Sequence, residues 1–163
     1  MIAEQGKGAQ PRLTSQGDSL LMLAYRCWHA GFDYGDAECW QYAWTVLSST
    51  LCPGKARHLL AAIEDFVRCL RLVSQRSPEY YPPPCCRMSA SERQVLELLA
   101  ALQAGEPDVL HRIEQLCGDI PEDGCRLVLG HARTLADRLL DVGIAVLADR
   151  PAPAARPPRK HLH

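Results

Sequence analysis

The chain has 163 residues, 47% apolar and 23% charged, with a net charge of −1. Such a balance fits one compact domain with a sizeable core rather than a disordered chain, and no run of about 18 apolar residues offers a membrane span. The polar start, MIAEQGKGAQPRLTSQGDS, holds no apolar export signal, so a cytoplasmic protein is expected.

Residues 1–13 read as a flexible leader. Thr14, Ser15 and Asp18 can cap a helix from about Ser19 to His29, which the two glycines of GFDYGD then break. Asp36 caps a second helix, in which Trp40, Ala43, Trp44 and Leu47 recur at helical spacing until Cys52-Pro53-Gly54 ends it. The third helix runs from about Gly54 to Ser74, with Leu59, Ile63, Phe66, Leu70 and Val73 forming a bundle seam. Residues 77–88 are a proline- and cysteine-rich linker that ends in YYPPPCCRM. Ser89 and Glu92 then form a capping box. The helix it starts carries Val95, Leu98, Leu99 and Leu102 and stops at Gly105. Pro107 opens a short helix closed by Gly118. Pro121 opens the longest one, expected to reach about Ala148, with Cys125, Val128, Ala132, Leu135, Leu139, Val142 and Val146 in 3-4 alternation. Residues 150–163, rich in Pro, Ala and basic side chains, have nothing to bury and read as a disordered tail. The predicted fold is an all-α bundle of about six helices. Its two halves, aromatic-rich 14–76 and acidic 89–149, are expected to share one compact domain.

Charge is unevenly distributed. Residues 1–88 sum to +1, residues 89–149 to −6 and the tail from Arg150 to +4. A duplex-binding surface needs clustered positive charge, so nucleic acid is a poor expectation. Seven of the ten aromatic residues lie between positions 25 and 44. They serve either as an aromatic core or as a surface around the GFDYGD turn, with Trp28, Trp40 and Trp44 as its anchors.

Eight cysteines stand at 27, 39, 52, 69, 85, 86, 117 and 125, none in C-x-x-C spacing. Most are expected to be buried thiols. Cys85, Cys86, Cys117 and Cys125, with His111 and His131 as alternates, are candidate zinc ligands, because distant helices can converge on one ion. Cys27-Trp28-His29 and Cys52-Pro53 can be read as haem-ligating residues. The Cys85–Cys86 pair beside Arg87 can also act as a redox switch, since a neighbouring cation lowers a thiol pKa and a disulfide between neighbours is strained and easily reduced. No G-x-S-x-G, Gly-rich phosphate loop, H-E-x-x-H or paired-acid motif occurs, so an enzyme is the less expected class.

MSASERQVLELLA, residues 88–100, resembles the opening helix of LuxR-type DNA-binding domains, with Ser, a Glu three residues on and a Val-Leu-x-Leu-Leu run. The resemblance implies a helix-turn-helix regulator. EDGCRLVLGHARTLADRL, in the place of the recognition segment, departs from it by lacking a basic groove-facing pattern. The reading that covers the whole chain is an adaptor or regulator acting on a protein partner or a second copy. Leu135, Leu139 and Val142 of the final seam are its expected contacts, unless that seam packs inside its own bundle. The alternative is a metal- or redox-responsive sensor built on Cys85 and Cys86.

Overall fold

The computed structural model describes residues 12–13 and 15–147. Six α-helices follow one another: α1 (Gln16–Tyr34), α2 (Ala37–Thr50), α3 (Pro53–Val73), α4 (Ala90–Gln103), α5 (Leu110–Cys117) and α6 (Glu122–Asp141). No β-strand occurs among the described residues, only an isolated antiparallel bridge between Arg12 and Arg87. The fold is all-α, as the hydrophobic spacing predicts. Residues 1–11 and the tail 150–163 lie outside the described residues.

Local chemistry accounts for most helix starts. The Ser15 hydroxyl accepts the Asp18 N–H at 2.9 Å, and an Asp36 carboxylate oxygen accepts the Glu38 N–H at 2.8 Å. Each satisfies an N–H that has no partner within its helix. Pro53 opens α3 at a position where a missing N–H costs nothing. At α4 both halves of the expected capping box form between Ser89 and Glu92.

Three expectations about helix ends need correction. α1 does not stop at His29: Gly31 lies inside it, because a side chain there would overlap the Trp40 indole packed against it. The helix ends at Gly35, whose φ of 64° is left-handed. α5 begins at Leu110, after Pro107 rather than at it. α6 ends at Asp141, so Val142 and Val146 fall beyond it, and α3 with 21 residues, not α6 with 20, is the longest described helix. Gly143, at φ 78°, turns the chain away. The Val146 N–H then donates to the Gln103 side-chain oxygen at 2.8 Å and the Leu147 N–H to Asp18 at 3.3 Å.

α3 and α6 pack antiparallel at the centre. Lys55 at the start of α3 donates to the Asp141 carbonyl at 3.1 Å, while Val73 at its end lies beside Gly124 at the start of α6. α1 runs alongside α3 and folds back as a hairpin with α2. Rings of Trp28 and Trp40 lie 5.2 Å apart, those of Phe32 and Trp40 5.6 Å. One apolar core draws on all six helices, including Leu21, Leu47, Phe66, Leu98, Ile113 and Leu139. Each large apolar side chain buried there contributes about 1.5–3 kcal/mol.

Candidate functional site at the proline and cysteine linker

The segment between α3 and α4 is neither a loose hinge nor a spacer. Arg26, in the middle of α1, and Glu92, in the first turn of α4, are both fully buried and paired Nε to Oε1 at 2.5 Å. A second contact, Nη2 to Oε2, is 3.1 Å long. The rest of the guanidinium points at linker carbonyls, donating to Cys85 O at 2.5 Å and Arg87 O at 2.6 Å, with longer contacts to Pro82 O and Pro83 O. Glu92 also accepts the Ser89 N–H at 2.7 Å and the Tyr81 N–H at 3.2 Å. The polyproline stretch gives this arrangement its chance, because prolines have no N–H and leave carbonyls that need donors from elsewhere. A buried pair of this kind adds little over an apolar replacement. Removing one partner strands the other charge, at about 3–5 kcal/mol.

Clamped in this way, the linker presents its two cysteines differently. Cys85 is half-buried, and its sulfur accepts the Arg87 N–H at 3.4 Å. Cys86 is exposed, and the Arg12 guanidinium donates to its sulfur at 3.0 Å. The Leu13 N–H donates to Cys86 O at 3.0 Å, so residues 12–13 of the expected leader are docked along the linker. The Arg12 hydrogen bond holds the Cys86 thiol below its ordinary pKa, with Arg87 adding to the effect. Beside the linker lies an open groove of about 880 Å³ whose lining includes Tyr81, Met88, Arg76, Arg93 and Glu114.

All eight cysteines are free thiols, but the expectation that most are buried is too broad. Cys27, Cys69 and Cys117 are buried, Cys39, Cys85 and Cys125 half-buried, and Cys52 and Cys86 exposed. Burial pushes Cys27 up to about 12, and raises Cys69 and Cys117 likewise. These sulfurs are core thiols. Of the other metal candidates, Cys125 has its sulfur 3.9 Å from Ile120 O, His111 faces Asp108 at 3.5 Å, and His131 is half-buried on α6. Among the described residues no three His, Cys, Asp or Glu side chains are grouped to hold a metal ion. The haem candidates divide similarly, with Cys27 and His29 in the core and Cys52 exposed at the start of α3.

His29 is fully buried, with its ring 4.5 Å from Tyr25 and stacked 5.2 Å from Tyr80. Neither ring nitrogen has a hydrogen-bond partner. Burial, with Arg71 adding to it, lowers its pKa to about 3. The Tyr80 hydroxyl donates to Asp33, which also pairs with Arg71 at 2.8 Å, so Tyr80 ties the linker's first half to α1 and α3.

The expected contact seam is occupied from within. Leu135 and Leu139 are fully buried in the bundle core, and Val142 is half-buried against it. Trp28 and Trp44 are half-buried against the core, and Trp40 is half-buried against Gly31 and the Trp28 and Phe32 rings of the α1–α2 hairpin. Sequence reasoning missed Arg12, and saw Glu92 only as a cap. Arg26 left a readable signal, a lone cation on the buried face LLMLAYRCWHA, but its partner lies 66 residues away. No family model, curated protein or solved structure matches the chain. The LuxR-type resemblance of residues 88–100 therefore rests on those residues alone.

Proposed function

We propose that this protein is a thiol-responsive regulator, with Cys86 as the responsive group and the clamped linker as the part that reports its state. The observation that supports this reading is the Arg12 guanidinium on the sulfur of an exposed cysteine. A cation in that position favours thiolate over thiol, and the thiolate is the reactive form. The Arg26–Glu92 pair gives the sulfur a fixed setting, and the docked Arg12–Leu13 segment gives it something to release. Alkylation of Cys86 by iodoacetamide, followed by peptide mass across pH, tests the reading. Its midpoint is expected below the ordinary thiol value of about 8.5, and Arg12→Ala should raise the midpoint and slow reaction at pH 7 by about threefold or more. An unchanged midpoint in Arg12→Ala overturns it.

A second reading keeps the adaptor function but moves it from the buried seam to the α1–α2 hairpin. It is supported by Tyr34 and Tyr42, exposed by 61% and 48% on the helices that carry the tryptophans. Aromatic anchors of this type dominate protein interfaces. If a second copy is the partner, sedimentation should show a dimer that Tyr34→Ser with Tyr42→Ser dissociates. A chain that stays monomeric at every concentration removes the dimer.

A further inference from the structure

Building on the thiol reading above, we infer that Cys86 forms a mixed disulfide with an external acidic thiol of low molecular weight, and that Cys85 does not resolve it. Two independent features lead there. The first is the clamp. Adjacent Cα atoms are about 3.8 Å apart, whereas disulfide-linked ones are usually about 4.4–6.8 Å apart, so bonding Cys85 to Cys86 requires the peptide between them to rotate and distort. That peptide's carbonyl is the Cys85 oxygen held by buried Arg26 at 2.5 Å. On either side, the Cys85 N–H donates to Pro82 O and the Leu13 N–H to Cys86 O, both at 3.0 Å. Rotation would break these contacts and leave a buried guanidinium short of acceptors. The Cys85 sulfur is in addition half-buried and engaged by the Arg87 N–H.

The second feature is Arg12. Its guanidinium faces a sulfur that is negative as thiolate and neutral once in a disulfide. A carboxylate carried in by the incoming thiol replaces the lost charge, which favours an acidic thiol over a cationic one. The chemistry needs a peroxide. The Cys86 thiolate attacks the O–O bond of hydrogen peroxide; an S–O bond forms, O–O breaks and hydroxide leaves, giving the sulfenic acid after proton transfer. The external thiolate then attacks that sulfur; S–S forms, S–O breaks and the oxygen leaves as water. Overall, two thiols and one hydrogen peroxide give one disulfide and two waters.

The test treats the full chain with hydrogen peroxide and either glutathione, an acidic thiol, or cysteamine, a cationic one, and maps every cysteine by peptide mass. The expected result is glutathione on Cys86, with Cys85 still a free thiol. Glutathione addition should exceed cysteamine addition by about threefold or more at low salt, and Arg12→Ala should abolish the difference. A Cys85–Cys86 disulfide, a covalent dimer through Cys86, or equal rates for the two thiols overturns the inference while leaving a reactive Cys86. A Cys86 inert to iodoacetamide overturns the thiol reading itself.

Discussion

Arg26 and His29 are neighbours on the buried face of α1, yet the core treats them in opposite ways. Arg26 keeps a carboxylate partner and linker carbonyls, whereas His29 has aromatic neighbours and no hydrogen bond. A charged imidazole there would lose its hydration on burial and be repelled by Arg71, only partly offset by Asp33, so folding holds it neutral. Its folded pKa of about 3 lies below the ordinary 6.5. Between those values the unfolded chain binds a proton that the folded chain does not. Stability is therefore full above pH 6.5 and falls as pH drops toward 3, by up to about 1.4 kcal/mol per pH unit. Urea denaturation from pH 7 to 4 should show this slope, and His29→Phe should remove its share. Equal slopes in the two proteins would contradict the neutral, unpartnered histidine.

At the scale of elements, two glycines in helix interiors have opposite roles. Gly31 admits the Trp40 indole and lets α1 and α2 close into a hairpin; Gly130 on α6 has nothing within reach of an added Cβ. Alanine at Gly130 should stabilise the protein by about 1 kcal/mol through helix propensity alone. The same gain at Gly31 is outweighed by overpacking, which costs about 1–3 kcal/mol. Thermal denaturation of Gly31→Ala and Gly130→Ala should move in opposite directions. From the sequence Gly31 reads as a break in the helix, because propensity is local while the Trp40 contact depends on how two helices cross. The Ser89–Glu92 box was legible for the converse reason, since both of its hydrogen bonds span three residues.

At the scale of the molecule, the 3-4 alternation from Val128 to Leu139 is buried against α3 and α4 of the same chain, the alternative in which the seam packs inside its own bundle. Leu139 is fully buried while Leu140, the next residue, is 49% exposed. Leu139→Ala should cost about 2–5 kcal/mol, and Leu139→Glu should leave no folded protein, because an unpaired carboxylate would enter the core. Leu140→Glu should stay within about 0.5 kcal/mol of the parent. Circular dichroism with chemical denaturation separates the three. A folded Leu139→Glu chain would return the seam to the surface.

The sequence by itself determined the helical class, the order of six helices, most of their caps and the apolar stripe each one buries. These follow from periodicities and hydrogen bonds that reach no more than a few residues. Only the tertiary structure decided which stripe met which, that the linker is clamped rather than hinged, and that Arg12 lies on Cys86. Those contacts join residues 66 and 74 positions apart, and their pairing is set by how the helices stack, which no local pattern encodes.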